Sequence, residues 1–162
     1  MFREMRRDRQ QLSQAAAEEI LKKNTGGTLA LAGDEGYPYA VPMSYLYEDG
    51  KLYFHSAKTG HKIDAIRNEE KASFCVIDRD QVVPEKYTTF FRSVIAFGKA
   101  RLVEEEEEKR RIAEMLAMKY SSAFKEGIAA EIDGAIRHMA IIEMTVEHMT
   151  GKEALELVRE RE

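Results

Sequence analysis

Asp49-Gly50, set between the alternating runs Tyr37–Tyr47 and Lys51–Ala57, commits this chain to a β-hairpin. A two-residue type I′ loop needs φ > 0 at both central positions, and Asp-Gly meets that demand. The returning strand then runs into Ser56-Ala57-Lys58-Thr59-Gly60-His61-Lys62, where a helix is expected over Gly60–Asn68. Two hydroxyls, two lysines, a histidine and a glycine at a helix start make a place to hold an anion, because unpaired backbone N–H groups and the helix dipole face it. A phosphorylated ligand would suit such an elbow. Read alone, the same residues also describe a surface helix start capped by Thr59.

The hairpin sits in a chain whose other segments also alternate. Gln11–Asn24 reads as a helix with Ser13 as cap and Leu12, Ala16 and Ile20 on one face. Thr28–Ala32 is a short strand, Gly33–Gly36 a turn, and Tyr37–Tyr47 one long strand whose Pro38 and Pro42 fit an edge or bulge. Ala72–Asp78 is a strand, Arg79–Lys86 a loop, and Tyr87–Val103 a long strand bending near Gly98. Helices are expected over Glu104–Tyr120 and Phe124–Arg137, a sixth strand over Met139–Val146, and a charged helix or tail over Lys152–Glu162. Five consecutive glutamates from Glu104 belong to a solvated helix start, where acidic groups complement the dipole. About six antiparallel strands with helices at the periphery make one α+β, mainly β, domain over residues 1–162.

Several chemistries lack a foothold. Neither GxGxxG nor GxxxxGK[ST] is present, and a net charge of −4 opposes non-specific nucleic-acid binding. His55, His61, His138 and His148 match no compact metal spacing, so no metal site is expected. Ser44, Ser56 and Ser93 lack a nucleophile elbow, and the lone Cys75 reads as a buried reduced thiol. The N-terminus has no apolar stretch of a signal peptide and no run reaches the ~20 apolar residues of a membrane span, so a cytoplasmic protein is expected. Reactivity is better sought in a bound cofactor.

Three separated segments, YPYAVPMSYLYEDGKLYFHSAKTGHKIDAI, RSVIAFGKARLVE and IEMTVEHMTGK, resemble the nitroimidazole-resistance (Nim-type) flavoproteins of the pyridoxamine 5′-phosphate oxidase-like superfamily. The likeness runs from about Met5 to Lys152. It implies an FMN-binding split β-barrel, a homodimer with the flavin at the subunit interface, and a small-molecule substrate. It implies that Val41, Pro42, Met43, Ser44 and Tyr45 run beside the flavin ring, main-chain groups meeting its polar edge. His55 and Ser56 match the strand-end pair near the ring and ribityl chain, with Ala57 in the same cofactor-binding set. His61 and Lys62 match the basic pair on the FMN phosphate, and Ser93 the position of a polar side chain offered to the flavin.

With histidine where the oxidases commonly carry arginine, phosphate affinity is expected to fall as His61 loses its proton with rising pH. The substrate-gripping arginine- and histidine-bearing C-terminus of the true oxidases is missing, which argues against vitamin B6 oxidation. The reading is an FMN-dependent oxidoreductase of small molecules, nitroaromatics such as 5-nitroimidazoles included, with His55 either donating a proton near the ring or packing against the ring or sugar. Its alternatives are a flavin-binding or redox-sensing module without turnover, and a split barrel holding haem or deazaflavin.

Overall fold

In the computed structural model, which describes residues 1–161, the expected long second strand breaks at Tyr45. Pro38–Ser44 is β2 and Leu46–Glu48 is β3, and these lie at opposite ends of one seven-stranded sheet of order β2-β1-β5-β6-β7-β4-β3. The other strands are β1 (Gly26–Ala32), β4 (Lys51–Ala57), β5 (Lys71–Val83), β6 (Thr88–Val103) and β7 (Met139–Glu153). All pairings are antiparallel. One residue thus carries the chain from the first edge of the sheet to the last, so the sheet curls into a split barrel. The count is seven strands rather than six because a buried tyrosine turns a corner that alternation alone does not reveal.

Tyr45 can turn that corner because its polar groups find partners in the interior. Its ring is fully buried and meets Phe74 edge-on at 4.9 Å, with Phe54 a further 5.1 Å from Phe74. Its hydroxyl donates to the Leu21 carbonyl at 2.6 Å, and burial pushes the phenol pKa far up. This aromatic cluster, with Leu29, Leu52 and Met144, fills the barrel. Each such side chain contributes about 1.5–3 kcal/mol of burial.

The hairpin turn at Asp49-Gly50 has φ 46° and 76°, the expected sign at both positions. Ser13 caps α1 (Gln14–Lys23), its hydroxyl accepting from the Ala16 amide at 3.2 Å. Opposite Phe97 and Gly98 of β6, β7 carries a bulge at Glu147, and its backbone passes too close to Gly98 to admit a Cβ. Arg79–Val83, expected as loop, instead continues β5 past a bulge at Asp78 and pairs with Thr88–Arg92. Arg79, Asp80 and Gln81 hide the strand by their polarity, while Val83 and Phe90 of the same arm pack on Ala154 and Leu157 in a small third core. β7 likewise runs on through His148–Lys152 to Glu153, closed over by Gln11 and Leu12 at the N-terminus.

Two helices, α3 (Glu106–Ser121) and α4 (Ile128–Ala135), fill the excursion between β6 and β7. They cover a second core of Tyr53, Ile112, Leu116, Ile132, Ile136 and Ile141. α4 begins four residues later than expected, because Ser122–Gly127 forms a 3-10 turn that leaves Phe124 in solvent. α2 (His61–Asn68) buries Ile63, Ala65 and Ile66, and α5 (Leu155–Arg161) ends the described chain. Buried charges stitch this last region: Glu153 pairs with Arg92 at 3.1 Å and with Arg161, and Arg92 reaches Asp78 at 3.3 Å.

Candidate functional site

The elbow between β4 and α2 stands open to solvent from Ala57 to His61. Gly60, at φ 122°, precedes a helix that no side chain caps, so Thr59 does not play that part. Ile63 and Asp64 amides turn back to the Gly60 carbonyl, which leaves the His61 and Lys62 amides at the mouth of the helix. The Lys62 side chain makes no ion pair among the described residues. The Ser56 hydroxyl donates to the Ala57 carbonyl at 2.8 Å, on the same exposed rim. This donor set suits a phosphomonoester.

His61 is held elsewhere. Its ring stacks on Tyr39 at 4.1 Å, and its Nε2 accepts the Asp34 amide at 3.3 Å. The Asp34 carboxylate lies 3.7 Å from the same nitrogen. The expected basic pair is split: Lys62 is unpaired, while His61 ties α2 to the β1–β2 turn.

β2 is a sheet edge, so one row of its backbone groups has no partner strand. Ala40, Pro42 and Ser44 face outward, whereas Val41 and Met43 point into the barrel. A planar ligand could meet β2 only through main chain or the outward set. Tyr45 cannot contribute there, because its N–H donates to the Tyr120 hydroxyl and its carbonyl accepts from Lys119 Nζ at 2.9 Å. The same ammonium reaches the Asn24 carbonyl at 2.6 Å and sits 4.1 Å from the Tyr45 ring, and burial lowers its pKa. Sequence reading missed this clamp, since nothing in the spacing of Lys119-Tyr120 announces a barrel corner 75 residues earlier.

His55 and Ser44 border a cavity of about 370 Å³ whose other wall is α3 and α4. Ser93 lies far from them. His55 pairs with Ile141 and Ile141 with Val103, whereas Ser93 is ten residues further along β6, opposite Lys152. Ten residues of strand span roughly 30 Å. One chain does not bring Ser93 to the elbow. Cys75 is half-buried on the outer face of β5 rather than in the core, and burial raises its pKa. His138 is exposed and His148 stacks on Phe2 at 4.6 Å. No three His, Cys, Asp or Glu side chains converge as metal ligands among the described residues. Among those residues no helix is long and apolar enough to cross a membrane.

The family model for pyridoxamine 5′-phosphate oxidase matches residues 13–153. The chain belongs to the pyridoxamine 5′-phosphate oxidase-like family. Solved structures agree on the fold. A candidate 5-nitroimidazole antibiotic resistance protein from Bacteroides thetaiotaomicron is 25% identical, covering 88% of this chain and 86% of that one with a TM-score of 0.73. A FAD-binding protein from Mesorhizobium loti is 26% identical over 89% of this chain and 96% of its own, at a TM-score of 0.66. A conserved hypothetical protein from Mycobacterium tuberculosis, 21% identical, superimposes at a TM-score of 0.81 over 95% of this chain and 92% of its own. No curated protein matches the sequence.

Proposed function

We propose that this family member is an FMN-dependent oxidoreductase of small molecules, nitroaromatics among them, that works as a homodimer. The observation that carries the reading is the uncapped start of α2 with unpaired Lys62, set at the end of the strand that bears His55. An N-terminus of this kind, with a free ammonium beside it, favours the dianionic monoester of FMN. The outward side of β2 would lie along the ring, and Pro42 and Ser44 would flank it. When bound, the flavin supplies two electrons. His55, exposed beside the cavity, would hold and pass a proton, and the α3–α4 wall would exclude water.

Two observations favour the dimer. Ser93 is ten strand residues from the level of His55, so a flavin that meets both needs the Ser93 of a second copy. Moreover, the outer face of β5 and β6 exposes Ile77, Ile95 and Phe97, with 62%, 39% and 38% of their surface in solvent. An apolar face on a sheet is a place for a partner.

The test is direct. Purified protein should be yellow, and its extracted pigment should be FMN rather than FAD, haem or deazaflavin. Anaerobic reduction by NAD(P)H or dithionite followed by reoxidation with a 5-nitroimidazole separates turnover from passive binding. A colourless protein that ignores added FMN would end the reading.

A further inference from the structure

The cavity beside His55 is one of two joined hollows between α3 and α4. The inner, of about 370 Å³, is walled largely by carbon, with Leu116, Ile132, Ala135 and Met139 around it and Ser44 and His55 at its floor. The outer, of about 270 Å³, opens toward exposed Phe124. Ala117, Ser121, Glu131 and Ile132 line both. Glu131 therefore stands at the junction. It makes no ion pair among the described residues, and no other carboxylate or ammonium lines either hollow.

We propose that this passage is the substrate site and that it selects arylalkylamines, an aromatic ring carrying a protonated side-chain amine, over neutral and anionic analogues. The inner hollow has the size of small-ligand pockets, which begin near ~300 Å³. It accepts a single aromatic ring with its substituents, and the amine lies against Glu131 while the ring faces Ser44 and His55. Phosphate esters are disfavoured by the same carboxylate, because like charges repel across an apolar wall. The inference deepens the proposed function, and it rests on that reading for the chemistry at the ring but not for the charge preference.

Three isosteric probes test it: 4-nitrobenzylamine, 4-nitrobenzyl alcohol and 4-nitrobenzoate, titrated calorimetrically into the full chain at low salt, with and without saturating FMN. The amine is expected to bind about three- to fivefold tighter than the alcohol, the range of a half-solvated ion pair, and the benzoate weakest. Glu131→Gln should bring the amine and alcohol together, and Glu131→Lys should reverse the order. Glu131 is exposed and holds no hydrogen bond, so both variants fold, as circular dichroism will verify. Ala117→Leu, which narrows both hollows, should weaken all three probes. An amine preference that is absent, or that survives Glu131→Gln, overturns the proposal. So does displacement of the probes by FMN, which would make the passage the seat of the flavin itself. If FMN fails to bind while the Glu131-dependent preference stands, the cofactor reading falls and the pocket assignment holds.

Discussion

Tyr120→Phe removes one oxygen atom and leaves the Tyr45 amide with nothing to donate to. In the wild type that amide meets the Tyr120 hydroxyl at 2.8 Å, and the hydroxyl lies 2.5 Å from the Thr25 carbonyl and 2.8 Å from that of Tyr45. Having one proton, it donates to one carbonyl at a time. Thr25 is exposed, so water can replace its lost donor at small cost; Tyr45 is fully buried, so its N–H cannot be hydrated. A buried donor left unpaired costs about 1–3 kcal/mol, and the expected loss is therefore about 2 kcal/mol. For a chain of this size that lowers Tm by about 4–8 °C. Urea unfolding followed by far-ultraviolet circular dichroism should show the midpoint falling with the slope m unchanged. Exchange of the Tyr45 amide with deuterium should accelerate, and FMN should bind more weakly because the end of β2 loosens beside Ser44. A stability change below about 0.5 kcal/mol, with Tyr45 exchange unaltered, would refute the clamp as the support of the corner.

Three further outcomes follow from the geometry. Lys62→Ala should weaken FMN about tenfold or more, the worth of one charge-assisted hydrogen bond, as read by quenching of flavin fluorescence. If the proposed dimer uses this face, Ile95→Asp paired with Phe97→Asp should give monomers in sedimentation velocity and release flavin, whereas a variant that stays dimeric would place the interface elsewhere. Burial pushes the Asp78 carboxyl up, but hydrogen bonds from Lys23, Asn24 and Arg92 and the charge of Lys23 outweigh it, so its pKa lies below the usual carboxylate range. A depressed pKa stabilises the fold above the unfolded value of about 4 and loses that contribution as pH falls through the lower folded value. Asp78→Asn should therefore be less stable than wild type at pH 7, and urea midpoints of the two should converge below about pH 4.

What the sequence disclosed and what it hid divide along physical lines. Asp49-Gly50, Ser13 and the apolar spacing of α2 act through neighbours within a turn, so the hairpin, the cap and the helix could be read directly. The break at Tyr45 depends on Leu21, Lys119 and Tyr120, distant in the chain, and local alternation passes straight through it. The β5–β6 arm hid for a different reason: Arg79, Asp80 and Gln81 interrupt the alternation, and the apolar partners of Val83 and Phe90 are Ala154 and Leu157, far along the chain. At the elbow the residue types pointed to an anion, yet only the structure separated unpaired Lys62 from His61, which Tyr39 and Asp34 hold. Glu131 carried no signal at all, being one acid among 29 acidic residues until the helices placed it at a junction.

The seam of the barrel is covalent. Since β2 and β3 are joined by Tyr45 alone and lie at opposite ends of the sheet order, closure depends on an intact peptide chain at that residue. Tyr45 is fully buried, so that single link is shielded from proteases, and limited proteolysis should spare the seam.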